Sequence, residues 1–589
     1  MKVGPLKVDG TKKLIYFQIN RDLAKSTVEE EPSQTVSPAS PSLRQSAIAF
    51  VETILIFLCF IAVAGQGPPA VNESHYLTKA KHFWNPDWCP GDLFLASSFS
   101  HWLFYFGLGW PTKYLSLSTF AWLGRLMTWA AMAWAWRRLS WRLIPVPLMG
   151  CFSAILFLIL NERFHLAGEW VVGGFEAKGI AYCFVVFALG DMLIGRWRRV
   201  WPWLGAAAAF HVLVGGWAML AAGLSWCLSQ RSNRQHRGTT ASLANWHTLG
   251  QQLSVQSPYL LLALTLLAIG AIPPFLADQQ ATPAEIAAAS LIYVNQRIAH
   301  HLTFAAFPTM HVARFVLLIL TWALLFNWSL KRSLDSQNRL AGLYYFGIGS
   351  LVISLGGLIL SGLADSDNAA QMFAARLLRF YWFRLADFAI PATTALAIGS
   401  VTGTWLLYEN NRARKICAAT ASGLILVAAS LLVRERNSDP RPFADQRSLP
   451  SYPGEDFRTQ QTYSNWRKVC RWIESNTPTD AVFITPHEQQ TFKWYAGRTE
   501  VVNWKDVPQD ARSITEWDRR VQELLEPQRQ FELGLMNYSD EQLQALSQKY
   551  QADFLVVPQW QVELVSAPTK LRQVYPAPGD KSTFVVFKF

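Results

Sequence analysis

Long apolar stretches recur over most of this chain. Each stretch is long enough to cross a hydrocarbon core of ~30 Å as a helix that rises ~1.5 Å per residue. About ten of them stand out, and they cover residues 46–65, 115–136, 144–160, 179–195, 201–228, 258–275, 312–330, 341–363, 385–408 and 416–433. The composition agrees, with 51% hydrophobic and only 16% charged residues. The sequence therefore predicts an α-helical polytopic integral membrane protein.

The polar segments divide the chain into three predicted parts. Residues 1–45 are polar and basic and end in a Ser/Pro-rich run, which is typical of a flexible tail. Residues 46–433 hold the apolar stretches and form the predicted transmembrane domain. In residues 434–589 short apolar runs alternate with helical patterns, which predicts a small soluble α/β domain. The predicted strands are 481–484, 500–502, 553–557 and 583–587, and the predicted helices are 463–474, 513–525 and 540–550.

Basic loops set the expected orientation. The net charge is +12, from 53 Lys+Arg against 41 Asp+Glu, and on a membrane chain such charge normally lies in cytoplasmic loops. We therefore expect membrane lipids, and no nucleic acid, as partners. With the tail in the cytoplasm, every second loop is basic, and the C-terminal domain is extracytoplasmic. The basic groups are Arg137/Arg138/Arg142, Arg196/Arg198/Arg199, Lys331/Arg332/Arg339 and Arg412/Arg414/Lys415.

One loop breaks this alternation. The segment 230–256 is basic, yet a single crossing by 201–228 would place it outside. A hairpin that enters from the cytoplasm, breaks near His211, Gly215 and Gly216, and returns would resolve the conflict. Irregular backbone at membrane depth is tolerated only where it is buried in protein or lines a cavity. One long tilted helix is the alternative interpretation.

Acids follow the first span at the expected water boundary. Glu73 lies a few residues beyond the span, Tyr76 follows it, and Asp92 stands near the end of the same loop. A carboxylate at this depth stays charged, so it can accept a proton or ligate a metal. A solvated interfacial acid without a chemical role is the alternative.

In these residues, and in its layout of many spans followed by an α/β domain, the sequence resembles the GT-C superfamily of polytopic glycosyltransferases. The resemblance implies transfer of a sugar, with inversion, from a polyprenyl-phosphate donor to an unknown acceptor on the extracytoplasmic side. It implies that Glu73 is the base or a metal ligand, that Tyr76 accompanies it, and that Asp92 is the acid that closes the loop. The loop lacks the doubled Asp-Glu of many mannosyltransferases, which leaves the donor sugar and the use of a divalent metal undefined.

The second outward loop, 161–178, is rich in charged residues. In the GT-C layout it faces the first loop, and Glu176 would supply a second carboxylate. Lys178, at the mouth of the next span, suits a phosphate as a point charge. An exposed loop whose charges pair with each other is the alternative.

The third outward loop has a clear helix start. Thr282 and Glu285 form a capping-box pattern around Pro283, and the predicted helix runs to about residue 302. Arg297 and His301 lie one turn apart on it. His300 and His301 point ~100° apart, so they are poorly placed to share a metal. We expect one of them to hydrogen-bond substrate or transfer a proton; a satisfied interfacial helix is the alternative.

The fourth outward loop carries Arg376 and Arg379, which share a helical face. Exposed arginines near lipid headgroups suit the capture of a phosphate or diphosphate. The alternative is that they pair with acids of the same region, which are Asp365, Asp367 and Asp387.

Arg125 falls inside the second apolar stretch. A charge there costs ~3 kcal/mol or more unless it is paired, so this side chain should face the bundle interior, where it would bind substrate or a partner. The candidate partners are Glu52, Glu73 and Asp191.

Two other classes of function remain open from the sequence. A transporter or flippase of a lipid-linked or anionic solute would use Arg125 and the hairpin at His211 as a site within the membrane. A non-catalytic membrane protein would leave the loop charges scattered. The transferase interpretation instead predicts that Glu73, Glu176, Lys178, His301 and Arg379 converge on one cavity.

Overall fold

A computed structural model describes residues 43–236, 246–279, 281–332, 337–364, 368–407, 409–446, 460–565 and 569–589 of the 589-residue chain. Most of the predicted tail 1–45, together with Asp365 and Asp367, lies outside the described residues. Residues 50–589 belong to one compact unit.

Each predicted span coincides largely with a helix of the structure, except 201–228, which is divided between two helices. These helices are Leu43–Ala64, Leu117–Leu143, Met149–Arg163, Ala177–Leu193, Trp197–Phe210, Val212–His236, Trp246–Asp278, Thr309–Arg332, Gln337–Leu363, Arg384–Leu407 and Arg412–Arg436. Within the described part of the chain, seven helices are long and apolar enough to cross a membrane. The protein is therefore an integral membrane protein with a mostly helical membrane part.

The other four helices are too short or not apolar enough to meet this criterion for crossing a membrane. Met149–Arg163, Ala177–Leu193 and Trp197–Phe210 have 15, 17 and 14 residues. At ~1.5 Å per residue each is shorter than a hydrocarbon core of ~30 Å. Leu117–Leu143 is longer, at 27 residues, but it carries Arg125 and further arginines toward its end. Nearly all side chains of Ala177–Leu193 are buried by other parts of the protein.

The stretch 201–228 is a hairpin, and the alternative of one long helix is wrong. The helix Trp197–Phe210 ends at His211, whose backbone is extended at φ −147° and ψ 97°. In a straight helix Ala208 and Gly215 would lie ~10 Å apart. In the structure, however, a Cβ built on Gly215 would come within 2.1 Å of the Ala208 backbone nitrogen. The chain therefore reverses, and the close packing of its two arms requires glycine at this position.

Short helices connect the spans next to the sheet. They are Glu73–Trp84, Leu93–Ala96, Trp102–Leu108, Trp110–Lys113, Pro283–Leu291, Ile292–Arg297, Ala299–Leu302, Phe304–Ala306 and Asn368–Leu378. The predicted capping box is present: Glu285 N–H donates to Thr282 Oγ1 at 3.2 Å, and Thr282 N–H donates to the Glu285 carboxylate at 2.6 Å. The single helix expected to follow is instead divided by a π-helical turn and by Ile298, with φ −133°. His300 and His301 therefore lie on a separate short turn.

The C-terminal part forms a five-stranded mixed sheet in the order β2-β1-β3-β5-β4. Its strands are β1 (Val482–Ile484), β2 (Thr499–Glu500), β3 (Phe554–Pro558), β4 (Arg572–Tyr575) and β5 (Phe584–Lys588). Strands β2, β1 and β3 are parallel, and β5 is antiparallel to both β3 and β4. The four predicted strands are confirmed; β4, which is more exposed, was not predicted.

Helices cover both faces of this sheet, as the alternating pattern predicts. Further helices of this part are Arg412–Arg436, which leads into it, and Phe443–Gln446, Gln460–Asn476, Phe492–Ala496, Ala511–Arg520, Val521–Leu525, Glu526–Gln530, Gly534–Asn537, Asp540–Tyr550 and Gln559–Leu564. Phe554 and Val556 pack with Trp466, whereas Leu555 and Val557 pack with Trp517 on the other face. This period of two makes β3 the centre of a layered α/β domain.

Candidate active site

A cavity of about 560 Å³ lies where the first, second, third and fourth predicted outward loops meet the sheet domain. Eight of the eleven side chains proposed from the sequence line it, and these are Tyr76, Glu176, Lys178, Arg297, His300, His301, Arg376 and Arg379. Glu73, Asp92 and Arg125 are not among the lining residues. The loops are therefore not scattered but converge on one space.

The cavity wall carries more positive than negative side chains. Its cations are Lys79, Lys178, Arg297, Arg376, Arg379, Arg384 and Lys505, and its carboxylates are Glu169, Glu176 and Asp278. Another part of the wall is apolar and comes from two membrane helices, through Val212, Leu213, Ala271, Pro274 and Phe275. A concave surface with surplus cations concentrates anions, and this apolar wall is suited to a hydrocarbon chain.

Lys178 is held between two carboxylates. Its Nζ lies 3.6 Å from Oε2 of Glu169 and 3.6 Å from Oε2 of Glu176. Glu169 also pairs with Arg384, whose Nε is 3.2 Å away. All four side chains have little exposure. This network is close to neutral by itself, so Lys178 is less available to a phosphate than the sequence suggested.

Glu176 is placed by its position at the start of a helix. It immediately precedes Ala177–Leu193 and, with φ −139° and ψ 152°, its side chain makes no capping hydrogen bond to the backbone of that helix. Its Oε2 instead accepts a hydrogen bond of 3.1 Å from Asn72 Nδ2. The carboxylate is thus turned toward the first loop and the cavity, where an acceptor group can approach it.

A stack of rings forms another part of the wall. Tyr76 stacks on His101 with ring centroids 5.3 Å apart, and His101 faces His211 at 4.8 Å. Burial, aided by the Arg384 cation, lowers the pKa of His101 to about 3, so this ring is neutral at physiological pH. Arg384 Nη1 donates to Nε2 of His211 at 3.1 Å, because a guanidinium can only donate. Neutral rings of this kind offer a flat face and single hydrogen bonds to a polar ligand.

His301 is fixed by the second loop. Its Nδ1 lies 2.5 Å from the carbonyl oxygen of Ala167, which can only accept, so Nδ1 carries the proton and Nε2 is left as an acceptor. Burial and the neighbouring His300 lower the pKa of His301 to about 3. Gly168 makes this contact possible, because its φ is +78° and a Cβ there would lie 3.2 Å from His301 Cε1.

Four cations near the sheet domain are bonded to carbonyl oxygens or to no acceptor. Arg297 Nε donates to Trp504 O at 2.8 Å, Arg379 Nη2 to Gln509 O at 2.9 Å, and Arg376 Nη2 to Pro283 O at 3.2 Å. For Lys505 Nζ no hydrogen bond or ion pair is found within the described residues. Carbonyl groups do not neutralise these charges, so this side of the cavity retains its capacity for an anion.

Glu73 does not face the cavity, contrary to the expectation that it is the base or a metal ligand. It is fully buried. Oε1 accepts from Arg125 Nε at 2.6 Å and from Phe175 N at 2.7 Å, while Oε2 accepts from Ala70 N at 2.8 Å and from Arg125 Nη2. Arg125 also donates to Gln66 O at 2.5 Å. The predicted pairing of Arg125 within the bundle is therefore found, and its side chain does not line the cavity.

Asp92 likewise has a structural environment. It is 1% exposed, its Oδ1 accepts from Leu95 N at 3.0 Å at the start of a short helix, and its Oδ2 lies 3.2 Å from Lys493 Nζ. Asp92 does not line the cavity, so this placement gives no support to the expectation that it assists catalysis there. The physical reason is that the sheet domain supplies a buried lysine, which the loop sequence alone does not reveal.

Several cavity residues were missed from the sequence. Glu169 stood in the charged second loop without being singled out, and Lys79 and His101 stood in the first loop. Lys505 follows the carboxyl end of β2, the position where parallel strands present binding residues. That position was its only available signal.

Metal binding finds no support in the described residues. No group of three or more His, Cys, Asp and Glu side chains within them is placed to hold an ion. The acid that the resemblance implies as a ligand, Glu73, has both oxygens bonded to Arg125 and to backbone N–H groups. Glu73 therefore offers no free oxygen to a metal ion.

Comparison with known proteins gives a short family match and several structural likenesses. Residues 464–524 match a domain of unknown function, DUF6798. No curated protein matches the sequence significantly.

Three solved structures are similar to the chain. ArnT from Cupriavidus metallidurans, bound to undecaprenyl phosphate, is 12% identical, with a TM-score of 0.42. The match covers 93% of this chain and 98% of that chain. The oligosaccharyltransferase AglB from Archaeoglobus fulgidus, with an inhibitory peptide and a dolichol-phosphate, is 13% identical, with a TM-score of 0.40 and coverages of 88% and 70%. An Archaeoglobus fulgidus oligosaccharyltransferase with Zn and sulfate is 13% identical, with a TM-score of 0.36 and coverages of 87% and 68%.

ArnT and AglB are both GT-C glycosyltransferases, the class that the sequence resembles. The fold and the cavity define an integral membrane protein with a cationic site at the end of its helical bundle. At TM-scores below 0.5 the structural likenesses leave the chemistry of this chain open.

Proposed function

We propose that this protein is a membrane glycosyltransferase that takes a sugar from a polyprenyl-phosphate donor and transfers it to an acceptor in this cavity. The observation that supports this proposal most is the composition of the wall, which joins surplus cations to an apolar surface provided by two membrane helices. A lipid-linked phosphate matches both, because its phosphate is anionic and its polyprenyl chain is apolar. With the N-terminus in the cytoplasm, the cavity and residues 434–589 lie on the extracytoplasmic side of the transmembrane domain 46–433.

The donor phosphate binds at Arg376 and Arg379. Both arginines line the cavity, Arg376 within the helix Asn368–Leu378 and Arg379 directly after its end. Each is bonded to a neutral carbonyl oxygen and to no carboxylate in the described residues. A guanidinium forks onto phosphate oxygens with two parallel hydrogen bonds. The polyprenyl chain then lies along the apolar wall around Phe275.

Glu176 is the general base. It takes the proton of the acceptor hydroxyl as that oxygen attacks the anomeric carbon of the sugar. The bond between this carbon and the phosphate oxygen breaks, the polyprenyl phosphate leaves with the bonding electrons, and the configuration inverts. Lys178 and Asn72 keep the carboxylate in place, and His301 accepts a hydrogen bond from the substrate at Nε2.

The transporter alternative loses its main support. It required Arg125 and His211 as a joint site within the membrane, but Arg125 is paired with Glu73 and does not line the cavity with His211. A non-catalytic protein predicts scattered loop charges, whereas eight of the chosen side chains share one wall.

The test uses the full-length protein purified in detergent. A panel of radiolabelled polyprenyl-phosphate sugars is incubated with it and with an extract of membrane lipids and glycans, and the release of polyprenyl phosphate is measured. We expect turnover of one donor, and a loss of about 100-fold or more in Glu176→Gln. Glu435→Gln, at an exposed ion pair with Arg163, is the matched control. Turnover in Glu176→Gln equal to that of the unmodified protein would overturn the role of Glu176, and an absence of turnover with every donor would overturn the transferase.

A further inference from the structure

The sheet domain contributes a loop to the cavity, and this loop is anchored on both sides. Asn503 Oδ1 accepts from Lys505 N at 2.8 Å, and Asn503 Nδ2 donates to Gln489 O at 3.0 Å and to Glu500 Oε1 at 3.1 Å. The Trp517 indole donates to Asn503 O at 2.9 Å. The loop therefore presents Lys505 in a fixed place.

The residue after Lys505 ties the same loop to the first predicted outward loop. Oδ2 of Asp506 lies 2.7 Å from Lys493 Nζ, and its Oδ1 lies 3.0 Å from His75 Nδ1. Asp506 is almost fully buried, and the Lys493 cation, together with the hydrogen bond from His75, lowers its pKa despite burial. The domain and the cavity wall are thus joined by a buried charged contact directly beside Lys505.

Arg297 meets this loop from the third predicted outward loop. Its guanidinium lies over the Trp504 ring at 5.3 Å, Nε donates to Trp504 O at 2.8 Å, and Nη2 lies 3.4 Å from Lys505 O. These contacts orient the arginine without neutralising it. Within the described residues, no acceptor is found for its Nη1 or for Lys505 Nζ.

Lys505 also lies within electrostatic range of the centre of the cavity. Burial, together with the Arg297 cation, lowers its pKa to about 7, and Glu176 and Lys178 act on it as well. Lys505 and Arg297 as neighbouring cations, with no carboxylate bonded to either, are unfavourable without a counter-charge. A dianionic group would relieve this repulsion and accept hydrogen bonds from both side chains.

We propose that Lys505 and Arg297 form a phosphate-binding subsite, so that the sheet domain completes the cavity. The subsite deepens the proposed transfer, since it places a phosphate group near Glu176, but binding at it does not require turnover. The phosphate belongs either to the lipid donor or to a soluble molecule such as a phosphorylated acceptor. The shared chemistry is a tetrahedral phosphate anion, singly charged in the sugar donor and doubly charged in a monoester, bound by one ammonium and one guanidinium.

The experiment measures binding to the full-length protein in detergent by isothermal titration. One arm uses a polyprenyl monophosphate in micelles, and the other uses inorganic phosphate. Lys505→Met and Arg297→Met should each weaken binding in at least one arm by about tenfold, the loss of one charge-assisted hydrogen bond. Lys505→Arg should restore most of it. Lys570→Met, an exposed position of the same domain, should leave both arms unchanged.

The two arms identify the source of the phosphate. Loss in the lipid arm assigns the subsite to the donor headgroup, whereas loss in the inorganic arm alone assigns it to a soluble phosphate. Unchanged binding in both arms for Lys505→Met and Arg297→Met, with the size-exclusion profile and circular dichroism of the unmodified protein, would overturn the subsite. If phosphate binding depends on Lys505 but the protein turns over no donor, the subsite is supported and the proposed transferase function is overturned.

Discussion

Glu73 and Arg125 form a buried two-pronged ion pair that joins the first predicted outward loop to a membrane helix. Nε of Arg125 donates to Oε1 of Glu73 at 2.6 Å, and Nη2 donates to Oε2. The same carboxylate accepts the backbone N–H of Phe175, directly before Glu176. An acid that resembles a catalytic residue by its place in the sequence is therefore occupied in holding two loops together.

This relationship predicts that Glu73→Gln acts on stability. The substitution leaves the Arg125 charge buried without a counter-charge, which should lower the free energy of unfolding by about 3–5 kcal/mol. Thermal unfolding of the full-length protein in detergent measures the loss. The double variant Glu73→Leu with Arg125→Leu should recover much of it. If Glu73→Gln instead kept its stability and lost only turnover, Glu73 would have a role in catalysis and not in stability.

The hairpin predicts a steric limit at Gly215. A Cβ there would meet the Ala208 nitrogen at 2.1 Å and its Cα at 2.3 Å, and both are backbone atoms that cannot rotate away. Gly215→Val should therefore force the two arms apart and reduce the yield of folded, monodisperse protein. Gly223→Val, where nothing lies within 4 Å of a built Cβ, is the control. Equal yields for the two variants would contradict the hairpin packing.

Gly168 controls the position of His301. An alanine would have to adopt φ +78°, which costs about 1–2 kcal/mol, and its Cβ would press on the imidazole ring. We expect Gly168→Ala to fold and to lose turnover through kcat more than through KM, because the His301 acceptor is displaced. Gly67→Ala, which has open space around it, should match the unmodified protein. Full activity in Gly168→Ala would show that His301 has no part in the reaction.

Binding of an anion at Lys505 should depend on pH. Because burial and Arg297 lower the pKa of Lys505 to about 7, its side chain is charged below that pH and neutral above it. Binding should therefore be strongest below pH 7 and weaken as the pH rises through it. Burial also lowers the pKa of Lys79 to about 7, so loss of its charge would weaken anion binding over the same pH range.

Sulfate is the suitable probe for this dependence, because it stays dianionic across the range. A titration series from pH 5.5 to 8.5 in the unmodified protein and in Lys505→Met separates the two lysines. The decrease in sulfate affinity as the pH rises through about 7 should be smaller in Lys505→Met than in the unmodified protein. An identical pH profile in both proteins would assign the effect to Lys79 or to another group.

The sequence predicted those features that depend on local pattern. Span length predicted the membrane helices, the Thr282–Glu285 spacing predicted the capping box, and the mismatch between loop charge and span number predicted the break at His211. Alternating runs predicted four of the five strands. These signals all act over a few residues or follow from membrane physics.

The site could be predicted only in part, because its details depend on long-range partners. Glu73 and Glu176 are both loop acids, and what separates them is Arg125, which reaches one and not the other. Asp92 is taken up by Lys493 from the sheet domain. Lys505 enters the cavity through the docking of that domain, and its position after β2 is the only local indication of this.

An experimental structure of the full-length protein with a non-transferable polyprenyl-phosphate sugar analogue would locate the donor phosphate and sugar directly. The polyprenyl chain should lie along Phe275, and the anomeric carbon should face Glu176. The phosphate oxygens should lie about 3 Å from the guanidinium groups of Arg376 and Arg379. A phosphate bound outside this cavity would contradict the proposed function. A sugar whose anomeric carbon is turned away from Glu176 would contradict the role of Glu176 as the base.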